Sequence, residues 1–333
     1  MKVAVLGAGS WGTTLALVLH ENGHAVKCWT PEVSDIEEIR KTGENRRFLP
    51  GVPLPSSLHF SDDLAGVLHE AVYVVMAVPS HAVRAVTERC NDLRGKDTVW
   101  ISVAKGIEND TLLRVSQVME QVGGIPSDNI AVLSGPSHAE EVGRKVPTAV
   151  VAASVSRDTA RKVQNLFIND FFRVYANLDI IGVEFGGALK NIIALAAGIC
   201  DGAGFGDNTK AALMTRGLVE MNRLGVVMGA KPDTFAGLSG VGDLIVTCMS
   251  RHSRNRHVGE QIGKGRTLND VLAEMVMVAE GVKTTRSAYQ LAEKHNVDMP
   301  ITEQVYLTLF ENKPPLGAMR DLMTRASKVE DWG

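Results

Sequence analysis

Chemistry in this chain has to come from a few charged side chains set among small residues. The segment Ile181–Cys200 is apolar and of helical character, and Lys190 is its single basic residue. Its neighbours at three and four residues are Gly186, Gly187, Ile193 and Ala194, so the lysine stands over a face with room for a ligand. An apolar setting lowers a lysine pKa, and a lysine near neutral pKa can give and take protons. Bringing it from its ordinary value near 10.4 to about 7 to 8 costs roughly 4 kcal/mol, which burial and a second ammonium such as Lys105 can supply. The competing reading has the glycines serve close helix packing while Lys190 reaches solvent.

Three more stretches offer polar groups. Lys105 follows an apolar run at once, and Gly106 beside it would let a ligand come close, although a lysine leaving a strand is ordinarily solvated. Asp243, in the glycine-rich Gly237–Leu244, either faces a ligand or caps the helix starting at Leu244. Ser253, Arg254 and Asn255 present a hydroxyl, a guanidinium and an amide that suit one phosphate. The surrounding loop is basic, but nucleic-acid binding wants a broad basic surface with aromatic stacking, and this chain is 5% aromatic with net charge -3. A small phosphorylated ligand is the favoured reading, with a solvated charged loop as its competitor. Two further loops end apolar runs: Val78-Pro79-Ser80, and Ser134-Gly135-Pro136-Ser137-His138-Ala139, where Ser137 can line a ligand or cap the next helix. The spacing of His138, Glu140 and Glu141 matches no familiar ligand set, so no metal is expected.

These residues need a scaffold, and the first thirty residues supply its pattern. Lys2–Leu6 reads as a strand, Gly7-Ala8-Gly9-Ser10-Trp11-Gly12 as a glycine turn, Trp11 to Asn22 as a helix stopped by Gly23, and Ala25–Trp29 as a second strand. In such a unit Gly7 permits the tight turn, Gly9 lets backbone approach a pyrophosphate, and Gly12 lets the helix lie close on the sheet. The helix start, with Ser10 and Trp11, offers N–H groups and partial positive charge to phosphates. Apolar runs at residues 71–78, 98–104, 130–133, 148–153 and 172–175 alternate with helical segments at 81–90, 111–122 and 157–167. Residues 45–55 carry too much proline for either and read as an ordered loop. From Ile181 only helices are expected, at 181–200, 209–228, 267–275, 284–295, 301–310 and 315–326.

The predicted fold is therefore α/β: a doubly wound parallel Rossmann sheet over residues 1–179, followed by an all-helical substrate-binding domain over 180–333. A chain of 333 residues suits two domains. Cys28, Cys90, Cys200 and Cys248 form no C-x-x-C pair and fit a reducing cytoplasm. Met1 leads straight into the first strand, leaving no room for a signal peptide, and the longest apolar stretch, Ile192–Cys200, reads as too short to cross a bilayer.

Taken in order, these blocks resemble the NAD(P)-dependent glycerol-3-phosphate dehydrogenases of the bacterial type. The similarity runs from Gly7 to about Leu322 and includes Asn45–Pro55, Lys105–Glu108, Ser134–Ser137, Glu184–Asn191, Asp201–Lys210, Gly240–Asp243 and Ser253–Asn255. The resemblance implies reversible reduction of dihydroxyacetone phosphate to sn-glycerol 3-phosphate by NAD(P)H, supplying the glycerol backbone of phospholipids. It implies that Lys190 moves the proton, assisted by Lys105 and Asp243. Substrate contacts are then expected from Lys105, Gly135, Ser137, Lys190, Asn191, Asp243, Thr247, Ser253, Arg254 and Asn255. Cofactor contacts are expected from Gly7, Gly9, Ser10, Trp11, Gly12, Lys105, Ala139, Arg254, Val278 and Glu280; Ala139, Val278 and Glu280 rest on the resemblance alone. The second strand ends in Trp29-Thr30-Pro31-Glu32 with no acid at its tip, and Lys27, Arg40, Arg46 and Arg47 are near in sequence, so NADPH is expected to serve at least as well as NADH. No nucleic acid, metal or membrane is expected as a partner, and the assembly is left open, with a homodimer as the one named. The alternatives are a related hydroxy-acid or sugar-acid dehydrogenase, and a nicotinamide-sensing regulator that uses its basic loop for DNA.

Overall fold

The computed structural model describes residues 1–327 and 329–330. They divide into two compact units, one of Met1–Ala104 with Val115–Ile180, the other of Lys105–Arg114 with the chain from Ile181 onward.

The first unit is built on eight strands: β1 Lys2–Leu6, β2 Ala25–Trp29, β3 His59–Ser61, β4 Tyr73–Met76, β5 Val99–Ser102, β6 Ile130–Ser134, β7 Thr148–Ala153 and β8 Phe172–Asn177. They lie in the order β3-β2-β1-β4-β5-β6-β7-β8. Every residue of β4, β5 and β6 is buried, which is why these strands appear in the sequence as unbroken apolar runs rather than alternating ones. From β3 to β6 all pairings are parallel, and the direction of winding reverses between β1 and β4, the switch point where such sheets bind ligands.

The far edge departs from an all-parallel sheet, because β7 pairs antiparallel with β6 and parallel with β8. A parallel return needs a crossover of a dozen residues or more, usually helical. Between β6 and β7 the only helix is the one-turn Ala139–Val142, so the chain doubles back. The structure also adds β3 and the helices Val33–Thr42 and Leu64–Leu68, which the polar stretch after Thr30 does not announce. In Val33–Thr42 only Asp35, Ile36 and Ile39 are buried, too few apolar positions to mark a helix.

The second unit is helical. Its centre is Ile180–Ala203, whose 24 residues are long and apolar enough to cross a bilayer by composition, longer than the stretch read from the sequence. Inside this fold 94% of its most apolar window is buried, so the apolarity serves a protein core. Around it stand Asp207–Val227, Asp243–Met249, Arg254–Gly263, Glu280–His295, Pro300–Phe310 and Pro315–Met323. Leu189, Ile192, Ile193, Phe235, Val258, Leu291 and Val305 share that core, joined by Ile107 from the Lys105–Arg114 excursion.

Candidate active site

Lys190 owes its setting to glycine. A Cβ on Gly186, one turn earlier, would lie 2.4 Å from the Ser239 carbonyl oxygen, so the bare helix surface there receives backbone. The space over Gly186 is thus filled by the Gly237–Gly242 loop rather than left for a ligand. Gly240 is equally constrained, since a Cβ would meet the Phe235 carbonyl oxygen at 2.0 Å. With the loop seated so closely, the helix Asp243–Met249 starts beside Lys190. Asp243 is its first residue and caps nothing; its carboxylate turns instead to two lysines.

Lys105 Nζ donates to Asp243 Oδ2 at 2.7 Å and Lys190 Nζ to Asp243 Oδ1 at 2.8 Å. Lys190 also donates to Thr247 Oγ1 at 2.6 Å, and that hydroxyl donates to the Asp243 carbonyl at 2.6 Å. Lys190 is 6% exposed and Asp243 1%, so Lys190 does not reach solvent. Burial pushes the Lys190 ammonium down to about 8; Lys105 adds to the effect, while Asp243 opposes both. Burial likewise pushes the Asp243 carboxyl up, but Lys105 and Lys190 overcome it and hold the group below the ordinary carboxylate range. The cluster carries a net positive charge, a setting that favours an oxyanion.

Two amides tie this cluster to the phosphate candidates. Asn191 Nδ2 donates to the Lys105 carbonyl at 3.2 Å, Asn255 Nδ2 donates to Asn191 Oδ1 at 2.9 Å, and the Gly281 N–H donates to Asn255 Oδ1 at 2.9 Å. Ser253 caps the helix Arg254–Gly263, its Oγ accepting from the Arg256 N–H at 3.2 Å. Ser253, Arg254 and Asn255 therefore form a helix start, where phosphate is well received. Val278 and Glu280 flank the start of the helix Glu280–His295, which the Gly281 bond links to Asn255. Reading residue types singled out Lys190 and Arg254 but assigned the two asparagines no bracing task; the signal was present in adjacent Lys190-Asn191 and Arg254-Asn255, each pairing a cation with an amide.

In the first unit the glycine turn behaves as its spacing requires. Gly7 has φ +114°, a conformation L side chains rarely take, and a Cβ on Gly12 would lie 1.9 Å from the Gly7 carbonyl oxygen. A Cβ on Gly9 would meet nothing within 4 Å, so the backbone there lies open. The helix Ser10–Glu21 begins without a side-chain cap on its first turn, and the buried Trp11 Nε1 has no partner. An open glycine and an uncapped helix start fit the pyrophosphate of a dinucleotide. Asn45 braces this turn, donating to the Ala8 carbonyl and to Thr13 Oγ1, both at 2.9 Å. Thr14 Oγ1 donates to the Ala139 carbonyl at 3.2 Å, which places Ala139 beside the same helix.

Gly135, φ +143°, and Ser137 follow the end of β6. Ser137 does not cap the next helix: its hydroxyl donates to the Gly135 carbonyl at 2.9 Å, and the helix begins after His138. The cations near the second strand all have partners. Lys27 donates to the Gly66 carbonyl, Arg40 to the Phe60 carbonyl, Arg46 pairs with Glu44 and Arg47 with Asp35.

Comparison with known proteins places nearly the whole chain in one family. Residues 2–160 match the family model of the NAD-dependent glycerol-3-phosphate dehydrogenase N-terminus, and residues 179–320 that of its C-terminus. The chain is 56% identical over 330 residues to an NAD(P)+ glycerol-3-phosphate dehydrogenase of Pelotomaculum thermopropionicum, covering 99% of this chain and 95% of that protein. It is 54% identical to the corresponding protein of Chlorobium phaeobacteroides, with 99% of each covered. A crystal structure of glycerol-3-phosphate dehydrogenase from Coxiella burnetii superposes with a TM-score of 0.92 at 40% identity, covering 97% of this chain and 98% of that one. The chain belongs to the NAD-dependent glycerol-3-phosphate dehydrogenase family.

Proposed function

We propose that this protein reversibly reduces dihydroxyacetone phosphate to sn-glycerol 3-phosphate with NAD(P)H, the unit Met1–Ala104 with Val115–Ile180 holding the dinucleotide and the helical unit the substrate. The observation that carries the reading is the bridge Lys105–Asp243–Lys190, set in the unit that also holds Ser253, Arg254 and Asn255. Bound NAD(P)H supplies the hydride to the carbonyl carbon. An ammonium has three N–H bonds; Lys190 spends two on Asp243 and Thr247, and the third is available to a carbonyl oxygen. As charge builds on that oxygen, Lys190 transfers its proton and becomes the neutral amine, and in the oxidative direction the amine takes the proton back. Asp243 stays ionised throughout, holding both ammonium groups in place, while Lys105 keeps the cluster positive. Arg254 and Asn255 grip the phosphate, so that binding energy far from the carbonyl fixes its geometry.

The product is proposed to supply the glycerol backbone of glycerophospholipids in the cytoplasm. Four unpaired, buried cysteines support a reducing compartment. A homodimer is the assembly proposed, to be checked by sedimentation. The test of function is loss of reduced-nicotinamide absorbance with dihydroxyacetone phosphate, run beside a panel of 2-oxo acids and sugar acids. Turnover confined to the acids would overturn the reading in favour of a related hydroxy-acid dehydrogenase.

A further inference from the structure

A cluster of charges outside the lysine bridge joins the two helices that carry the site. Arg256, on the first turn of Arg254–Gly263, donates from Nε to Asp201 Oδ2 at 2.7 Å, with Nη2 2.6 Å from the same oxygen. Lys210 Nζ donates to both oxygens of that carboxylate, at 2.9 and 2.8 Å, so Asp201 is held from two sides. Asp201 lies on Ile180–Ala203, about three turns beyond Lys190.

The backbones between these points touch as well. A Cβ on Gly198 would lie 2.0 Å from the Arg256 carbonyl oxygen, and one on Gly259 2.0 Å from the Leu195 carbonyl oxygen. Nearer Lys190, Asn255 donates to Asn191. The helix bearing Lys190 and the helix that begins at Arg254 are therefore fixed at successive levels, by an amide, by backbone contact and by an ion pair.

We propose that Asp201 and Arg256 are positioning residues that set the span between Lys190 and the pair Arg254 and Asn255, and so the grip on the phosphate of the substrate. The proposal rests on the roles given above to Lys190, Arg254 and Asn255. Neither Asp201 nor Arg256 touches substrate; they act through the first turn of Arg254–Gly263. Misplacing a gripping group by about 1 Å costs up to roughly a hundredfold in rate, so a loosened helix start shows in the kinetics.

The experiment compares kcat/KM for dihydroxyacetone phosphate and for unphosphorylated dihydroxyacetone in Asp201→Asn, with thermal melts of each protein. Efficiency on the phosphorylated substrate should fall by about tenfold or more, chiefly through KM, with little change on dihydroxyacetone and with the alkaline limb of the pH profile unmoved. Arg256→Lys, which keeps a cation opposite Asp201, should fall less than Arg256→Gln. Should Asp201→Asn fail to fold, Asp201→Glu keeps the charge but lengthens the link, and it too should raise KM for the phosphorylated substrate alone. Equal losses on both substrates, or none on either, overturn the positioning role. Arg254→Ala distinguishes the two failures. A phosphate-selective loss there without one in Asp201→Asn removes the positioning role alone, whereas equal losses in Arg254→Ala remove the phosphate grip and this proposal with it.

Discussion

The proton chemistry turns on one lysine and the two charges beside it. Lys190, pushed down by burial to about 8, must be an ammonium to protonate the oxygen in reduction and an amine to accept the proton in oxidation. The rate of reduction should be flat below about pH 8 and fall above it, while oxidation should rise through the same region. Lys190→Ala should lower turnover by roughly 10² to 10⁴ and abolish both limbs, with cofactor affinity nearly intact. Profiles of kcat in each direction check this, and turnover within a few-fold of the parent would make Lys190 structural.

The cofactor preference is also a residue question. Thr30 is buried, its Oγ1 accepting from the Glu32 N–H at 3.3 Å, and the Glu32 side chain is exposed, where solvent screens its charge. The arginine of the Arg46–Glu44 pair is more than half exposed, and such a surface pair holds by about 0 to 1 kcal/mol, so a phosphate can displace it, whereas Arg47 is held by the buried Asp35. NADPH should therefore serve at least as well as NADH in kcat/KM at fixed ionic strength. A tenfold or greater preference for NADH would refute this and point to Glu32, and Glu32→Gln should then restore use of NADPH.

Elements hold their places here by borrowing groups from one another. The helix Pro300–Phe310 starts without a side-chain cap of its own, and Glu220, on Asp207–Val227, accepts from the Ile301 N–H at 2.6 Å and the Thr302 N–H at 3.0 Å. Glu220→Ala would orphan both donors and should cost about 2 to 4 kcal/mol, read as a lower Tm with activity per folded molecule retained. Burial also pushes the Glu220 carboxyl up to about 7. The folded state then keeps a proton that the unfolded chain has lost, so this contribution is complete below the ordinary glutamate value of 4.5 and disappears as pH rises through about 7. Across that window the parent should lose Tm relative to Glu220→Gln, and parallel curves would show that the carboxyl does not titrate there.

Such borrowing is what the sequence conceals. The central strands could be read because both faces are buried and their residues are continuously apolar, and the glycine turn because its spacing has one physical use. Helix Val33–Thr42 and the three-residue β3 bury too little to leave a pattern. Asp243 was ambiguous because its meaning depends on lysines at positions 105 and 190, distant in the chain and adjacent only when folded. The small residues around Lys190 were visible, but Gly186 turned out to accommodate the Ser239 carbonyl, a partner no local pattern can name.

At the scale of the whole molecule, the chain leaves the first unit at Lys105, returns at Val115 and leaves again at Ile181. No composition shift marks the excursion, since ten residues are too few to change texture, yet the helical unit is incomplete without them. Lys105–Arg114 brings one of the two cations on Asp243, the buried Ile107, a carbonyl that accepts from Ser287 Oγ at 3.1 Å, and Arg114 as the partner of buried Glu184. Burying Ile107 contributes about 2 to 3 kcal/mol, and removing one partner of a buried ion pair costs roughly 3 to 5 kcal/mol. Those sums are comparable with the whole stability of a domain, about 5 to 15 kcal/mol. The fragment from Ile181 onward should therefore lack a cooperative melt when expressed alone, whereas the same fragment with residues 105–114 joined to its start through a flexible linker should regain one. Circular dichroism melts of the two fragments decide the matter. A sharp transition in the shorter fragment, at a temperature close to that of the longer one, would show that the excursion serves the lysine bridge without holding up the fold.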